Sequence, residues 1–219
     1  MTDEEYRVLE KIKNSIPVCY LADHADFALG IVTGNNKKFL SAEKTEHSEM
    51  VLKGTDICKY HINPVKQYLR FEPEQFQQVA PLEIYRAPEK LLYRFISNQL
   101  VVAYDDRQML SLNSCNIVIP KIEGMQIKYI LAILNSSVSQ FVYRKEFHSI
   151  KVLRAHMEHI PIPRVGKAIQ NEIIAMTEPL ICGMEKEAAE TCQKRLDCRI
   201  MDLFRLSAEE QWIIRHALH

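Results

Sequence analysis

Four cationic residues stand at the ends and turns of a strand-rich stretch, 85–120. Arg86, Lys90, Arg94 and Arg107 flank its apolar runs, and amide side chains occupy the polar turns between them. Arginine and lysine bind phosphate oxygens and guanine edges, and Asn or Gln binds adenine edges, so this set suits contact with nucleic acid. Ordinary solvated charges on the loops of a sheet give the same pattern, and composition alone favours that interpretation.

The apolar runs of this stretch predict three strands, over 91–96, 100–104 and 115–119. Pro120 closes the third run because proline cannot donate to a strand ladder. Polar residues that accept tight turns, such as Ser97, Asn98, Asn113 and Ser114, separate the runs. We therefore expect a sheet core whose loops display the cations and amides.

No catalytic constellation accompanies these residues. The sequence has no dinucleotide fingerprint, no P-loop and no nucleophile elbow. His148, His156 and His159 lie close together without a carboxylate–histidine motif, so we expect no metal site there. Asp105 and Asp106 resemble half of a nuclease metal site, but no E-x-K follows at strand spacing. Recognition is therefore a more economical function than catalysis, and no catalytic residue is predicted.

Composition narrows the class of protein. With 219 residues, 47% hydrophobic and 26% charged, the chain can bury an ordinary globular core. Its net charge of zero argues against an autonomous DNA binder held by a strong general field, but allows a recognition module whose partner domain supplies further phosphate contacts. The N-terminus lacks an apolar signal-peptide core, and no apolar run approaches a membrane span. We expect a cytoplasmic location and no membrane partner.

The order of patterns predicts three segments. An N-terminal linker helix, capped near Thr2, occupies 1–20, and a recognition domain occupies 21–164, ending at the stiff Ile-Pro-Ile-Pro run of 160–163. A helical hairpin or tail occupies 165–219, with its first apolar stripe interrupted at Pro179 and Gly183. Ser207 and Glu210 have capping-box spacing before the last helix.

Two further elements are predicted inside the recognition domain. Residues 27–32 read as a strand that turns through Gly34 and returns over 37–40 as a hairpin. Residues 126–138 have apolar residues at helical spacing. Residues 135–137 either end this helix or continue it into a further turn that reaches Phe141 and Tyr143.

Several segments together resemble a known family. GIVTGNNKKF at 30–39 and LKGTDICKY at 52–60 are similar to the two signatures that open the TaqI-like C-terminal specificity domain. This domain is the target-recognition region of N6-adenine DNA methyltransferases and of fused restriction–modification enzymes. Segments 90–94, 102–105 and 112–117 resemble its middle, 129–136 and 160–163 its end, and 196–218 the helical tail of these enzymes and of type I specificity subunits. The N-P-P-Y type motif of the family's methyltransferase half is absent.

The resemblance implies an α+β fold, with a mixed or antiparallel twisted β-sheet that forms the recognition domain and a helical C-terminal appendage. It implies sequence-specific recognition of double-stranded DNA for a restriction–modification system. The parent protein would be an adenine-specific DNA methyltransferase or a type II restriction–modification enzyme. S-adenosylmethionine would then bind in a missing methyltransferase domain, and this chain itself would hold no cofactor. The implied partners are DNA and a methyltransferase or nuclease domain of the same or another chain.

The resemblance implies that loops of the sheet enter the major groove of DNA. There arginine or lysine would hydrogen-bond guanine O6 and N7, and asparagine or glutamine would hydrogen-bond adenine N6 and N7. Among the cations, Lys37, Lys38, Lys53, Lys59, Arg144, Lys145 and Lys151 are better suited to phosphates, which position without specifying. The full set of predicted DNA-binding residues is Thr33, Asn35, Asn36, Lys37, Lys38, Lys53, Lys59, Arg86, Lys90, Arg94, Arg107, Asn113, Arg144, Lys145 and Lys151.

Alternatives remain open from the residues alone. The helical tail could dock a partner, which would make the chain a protein–protein interaction module. The chain could also be a fragment of a type I-like specificity subunit, or a nuclease with a noncanonical site.

Overall fold

The computed structural model describes residues 1–147 and 149–218. Its helices and strands, in chain order, are α1 (Asp3–Asn14), β1 (Val18–Cys19), β2 (Ala25–Ala28), α2 (Asn36–Phe39), β3 (Leu40–Ser41), β4 (Ser48–Leu52), β5 (Tyr68–Arg70), α3 (Leu82–Tyr85), β6 (Lys90–Arg94), β7 (Val102–Asp105), β8 (Leu110–Ser111), β9 (Cys115–Pro120), α4 (Ile127–Asn135), α5 (Ser137–Glu146), α6 (Arg154–Glu158), β10 (Ile162–Pro163), α7 (Lys167–Cys182), α8 (Lys186–Leu203) and α9 (Ala208–Ala217). Short 3-10 helices lie at Gly54–Asp56 and Pro73–Gln75.

The main sheet is antiparallel, with strand order β2-β9-β6-β7. The three strands predicted between residues 85 and 120 are confirmed as β6, β7 and β9. Strand β6 lies between the other two, and its side chains alternate between two apolar cores. Leu91 and Tyr93 enter the core under the helices, whereas Leu92 enters the core beneath the second sheet. A continuous apolar run is the expected sequence of a strand that is covered on both faces.

The second sheet has the order β3-β5-β4-β8 and is mixed, because β4 and β8 run parallel. Strands β1 and β10 pair separately. The α+β fold with antiparallel and mixed sheets agrees with the sequence expectation.

The hairpin predicted over 27–40 is wrong. Strand β2 pairs with β9, and the returning segment begins as helix α2 instead of a strand. The Asn35 side chain accepts a hydrogen bond from the Lys38 backbone at 3.2 Å and caps this helix. Asparagine favours helix caps as well as turns, so the residue that suggested a hairpin starts a helix instead.

The two alternatives for 135–137 are resolved by a break between two helices. Helix α4 ends at Asn135, and Ser136 both follows it and caps α5 by accepting the Ser139 backbone N–H. Asn135 and Gln140 are buried, and their amide groups bond the backbone of Val102 and Leu100. Together with Tyr60, whose backbone bonds Val102 and Tyr104, these amides satisfy the backbone groups at the edge of β7.

Both predicted capping boxes are confirmed, at Thr2 with Glu5 and at Ser207 with Glu210. Helix α7 continues through Pro179 instead of breaking there, and it ends before Gly183, whose φ is +83°. Helices α1 and α9 are joined by an ion pair of 2.6 Å between Lys11 and Glu210, and both contribute to the larger core. The division into 1–20, 21–164 and 165–219 stays a prediction.

Lys90 begins strand β6 inside the protein. Its ammonium donates to the Asp105 carboxylate at 2.5 Å and to the Tyr85 carbonyl at 2.6 Å, and both charged side chains are 0% exposed. Burial lowers the pKa of Lys90, and the nearby Asp105 opposes this shift. Lys90 was predicted to contact DNA, but the structure buries it in an ion pair, because a cation at a strand end can point inward when it has a buried acid to pair with.

Replacing Lys90 by methionine should lower the free energy of unfolding by about 3–5 kcal/mol, because Asp105 would stay buried without its counter-charge. Urea unfolding followed by circular dichroism measures this loss. The matched control is Lys121→Met, which removes an exposed ion pair to Asp26 and should cost less than about 1 kcal/mol. Equal losses in the two variants would contradict a structural role for the buried pair.

Candidate nucleic-acid interface

Helix α2 and three loops of the second sheet surround a cavity of about 420 Å³. Four of the predicted DNA-binding residues meet there, although they are far apart in the sequence: Asn36, Lys37, Lys53 and Asn113. All four are exposed. The remaining lining residues are Leu40, Gln67, Leu112 and Ser114. We call this cavity the cleft.

Backbone hydrogen bonds bring the loops of the cleft together at segment 111–114. On one side, Ile31 N–H donates to the Ser111 carbonyl at 2.7 Å, and Asn113 N–H donates to the Ile31 carbonyl at 3.1 Å. On the other side, Leu112 N–H donates to the Leu52 carbonyl at 2.7 Å. The segment before Lys37 and the segment before Lys53 are thus fixed on opposite sides of Asn113.

Two glycines permit this close approach. A Cβ at Gly30 would lie 2.1 Å from the Leu112 carbonyl oxygen, and one at Gly54 would lie 2.5 Å from the Ser114 carbonyl oxygen. The Gly54 N–H also donates to the Ser114 hydroxyl at 2.9 Å. Any larger side chain at these positions would push the loops apart.

The cleft offers two cations, Lys37 and Lys53, and three amides, Asn36, Gln67 and Asn113. Within residues 1–147 and 149–218, neither Lys37 nor Lys53 forms an ion pair. The Asn36 side-chain oxygen accepts the Thr33 hydroxyl at 2.6 Å, which leaves its NH₂ group to donate. Ammonium groups suit phosphates, and amide groups suit base edges. The cleft thus combines both kinds of group on one concave surface.

The model of the TaqI-like C-terminal specificity domain matches residues 49–162, just over half of the 219 residues. The chain belongs to this family. The matched region contains Lys53, Gln67 and Asn113 of the cleft.

Three solved structures share similarity with this specificity domain. The type IIL restriction–modification enzyme MmeI, solved in complex with DNA, has a TM-score of 0.60 at 11% identity over 87% of this chain and 34% of its own. The type IIG restriction endonuclease BpuSI has a TM-score of 0.51 at 12% identity over 93% of this chain and 33% of its own. The HsdS subunit from Thermoanaerobacter tengcongensis has a TM-score of 0.48 at 14% identity over 98% of this chain and 50% of its own. No curated protein matches the chain.

At these identities MmeI and BpuSI show a shared fold, and the specificity domain spans about a third of the length of each. None of the helices among the described residues is long and apolar enough to cross a membrane.

Three other predicted residues, Thr33, Asn35 and Lys38, shape helix α2 and the turn before it instead of lining the cleft. Thr33 is buried and donates to Asn36, and Asn35 caps helix α2. The Lys38 ammonium bonds Gln75 at 2.6 Å and lies 4.7 Å from the centre of the Phe39 ring. These contacts hold Asn36 and Lys37 in place.

Three of the predicted cations are committed to protein partners. Arg94 donates to the Gly54 carbonyl at 2.8 Å and to the Ile57 carbonyl at 2.6 Å, so it positions the loop after Lys53. These two bonds hold the Arg94 guanidinium against the loop that follows Lys53. Arg86 donates from Nη2 to both carboxylate oxygens of Glu49 and from Nη1 to the Gln108 carbonyl, and Lys145 pairs with Glu5 at 2.7 Å.

The other predicted residues lie away from the cleft. Arg107 is exposed on the turn after β7, at the Lys90 end of β6, whereas the cleft adjoins the Arg94 end. Lys151 is exposed and bridges to Ile96. Lys59 and Arg144 line a different cavity. His148 lies outside the described residues.

The structure also places Gln67 and Ser114 in the cleft, which the sequence prediction of DNA contacts missed. Ser114 stands in a turn that the sequence identified, but nothing in its type distinguished it from the neighbouring turn residues. Gln67 precedes β5 in a segment without a periodic pattern, so no sequence signal pointed to it.

The half nuclease site does not form at Asp105. Its carboxylate is buried, pairs with Lys90, and accepts the backbone N–H groups of Arg107 and Met109 at 2.9 and 3.0 Å. Over the part of the chain that the structure describes, no group of three or more His, Cys, Asp or Glu residues is arranged to hold a metal ion.

Gly54→Ala should open the cleft and destabilise the domain, because the new Cβ would collide with the Ser114 backbone. We expect a lower melting temperature and faster amide exchange over 52–57 and 111–115, measured by calorimetry and hydrogen–deuterium exchange. Gly166→Ala is the matched control, since nothing lies within 4 Å of its Cβ position. Equal exchange rates in the two variants would show that the close approach at Gly54 is not needed.

Proposed function

We propose that this specificity domain recognises a short sequence of double-stranded DNA and that the cleft is its contact surface. The observation that carries the proposal is the convergence of four residues from helix α2 and two loops: Asn36, Lys37, Lys53 and Asn113. Such a set combines groups that bind any phosphate with groups that distinguish bases.

The chain is a specificity domain of the restriction–modification class, and this favours recognition over the protein–protein interaction module. The similarity to MmeI, whose structure was solved in complex with DNA, supports the same assignment. Asp105, which motivated the nuclease alternative, is committed to a buried ion pair.

Catalysis belongs, in this proposal, to a domain outside the chain. The family assignment gives the chain recognition and no reaction of its own. We infer that the parent protein is an adenine-specific DNA methyltransferase or a type II restriction–modification enzyme, whose methyltransferase domain binds S-adenosylmethionine. The lengths of MmeI and BpuSI, of which the chain spans about a third, support a larger parent protein.

The double variant Lys37→Gln with Lys53→Gln should weaken binding to all duplexes alike. Each lost phosphate contact should reduce the slope of log K against log salt by about 1. Gel shifts of a random duplex pool at several low salt concentrations measure the slope. Lys167→Gln is the matched control, an exposed lysine at the start of α7 that lines no described cavity. An unchanged slope in the double variant would remove these lysines from the DNA contact.

Asn113→Ala should relax the preference at one base pair and leave the other positions as they are. A good amide–base pair contributes about 1–3 kcal/mol of discrimination, or roughly 5- to 150-fold in affinity. Selection from a duplex library, followed by sequencing, compares the preferences of the variant and the wild type. A uniform loss at every sequence would reassign Asn113 from base reading to backbone contact.

A further inference from the structure

A second cavity, of about 630 Å³, lies where the C-terminal helices meet the body of the domain. Four cations from different elements line it: Lys59, Arg144 of α5, Lys194 of α8 and Arg215 of α9. The other lining residues are Gln99, Ser137, Gln140, Asp197, Cys198 and Leu218. No residue lines both this cavity and the cleft, so the two surfaces are separate.

The positive charge of this cavity exceeds the negative charge that faces it. Among its lining residues Asp197 is the single acid, and none of the four cations forms an ion pair within residues 1–147 and 149–218. The Asp197 carboxylate accepts the Ser137 backbone N–H at 2.8 Å, at the positive end of helix α5. Its charge is therefore already partly offset, and three positive charges remain in excess.

The hydrogen-bond donors of the cavity are also in excess. The Lys59 ammonium donates to the Asn135 carbonyl at 3.1 Å, and Arg144 donates to the Leu218 carbonyl at 2.6 Å. Arg215 donates to Gln211 at 3.1 Å. An ammonium has three N–H groups and a guanidinium has five, so most of these donors are uncommitted. The Ser137 hydroxyl is buried beside the Asp197 carboxylate.

Burial disfavours the charged forms of Lys59 and Asp197, whereas Lys194 and Arg215 are exposed. It lowers the pKa of Lys59, with Asp197 opposing the shift and Arg144 adding to it. It raises the pKa of Asp197, although the Ser137 N–H opposes the rise. A ligand that brings negative charge and several acceptor oxygens would relieve both the repulsion between the cations and the shortage of acceptors.

We propose that this cavity binds a phosphate group. Phosphate has the charge to offset the excess and several oxygens for lysine and arginine donors, and arginine binds it in a bidentate manner. The phosphate group belongs either to a free phosphate compound or to a phosphodiester of bound DNA. The volume of the cavity is typical of small-molecule sites. Bound phosphate would join Lys59 and Arg144 of the body to Lys194 and Arg215 of the C-terminal helices. This inference does not depend on the DNA contacts of the cleft.

Calorimetric titration of the full chain with inorganic pyrophosphate tests the site. Wild-type protein should bind, and Lys59→Gln with Arg144→Gln should bind at least tenfold more weakly. Asp197→Asn should bind more tightly, since it removes a negative charge and keeps an oxygen to accept the Ser137 N–H. Loss of structure cannot produce this opposite change. If the double variant does not fold, Lys194→Gln replaces it, because this side chain is exposed. Lys167→Gln should behave as wild type.

Gel shifts with the same variants distinguish the two sources of phosphate. If DNA supplies the group, the double variant also binds duplex more weakly and pyrophosphate competes with DNA. If a free compound supplies it, DNA binding is unchanged. The proposal is overturned if pyrophosphate binds wild type and the charge variants equally. It is also overturned if pyrophosphate does not bind and the charge variants leave DNA affinity unchanged. Neither result depends on Lys37 or Lys53, so the cleft is judged separately.

Discussion

Strand β6 is covered on both faces, so each charged residue at its ends needs a partner inside the protein. Lys90 at one end uses the Asp105 carboxylate and the Tyr85 carbonyl. Arg94 at the other end uses the carbonyls of Gly54 and Ile57. A buried polar group without a hydrogen bond costs free energy of the order of 1–3 kcal/mol, and a charged one costs more. The hydrogen bonds that Lys90 and Arg94 require therefore determine the path of the loops that supply their partners.

The hydrogen bonds of Arg94 also determine the shape of the cleft. By holding the 54–57 loop against the sheet, Arg94 keeps Gly54 within a hydrogen bond of Ser114, and this contact fixes Lys53 beside Asn113. One half-buried cation thus places another cation at the surface. Residues that look equivalent in the sequence, each a cation beside an apolar run, divide into those that build the surface and those that can contact a ligand.

Much of the fold followed from local patterns, because these patterns are decided by neighbouring residues. Three of the four strands of the main sheet, β6, β7 and β9, and both capping boxes are of this kind. The order of the strands and the parallel pairing of β4 with β8 depend on partners distant in the sequence. The roles of the cations depend on such partners as well. Lys90 has a buried acid because β7 returns beside β6, while Lys53 has none, and no pattern around either residue distinguishes them.

The chain has 28 basic and 28 acidic residues, so a DNA contact has to come from the local arrangement of charge. Exposed charges are screened beyond about 8–10 Å at physiological salt, which makes the nearest residues decisive. Many acidic residues form ion pairs with cations of neighbouring helices, such as Glu5 with Lys145 and Glu210 with Lys11. These pairs hold the helices together. The cleft and the cavity at the C-terminal helices are left locally positive. A neutral domain of this kind gains little nonspecific attraction to DNA, so its binding should depend more on base contacts and on a partner domain than on its overall charge.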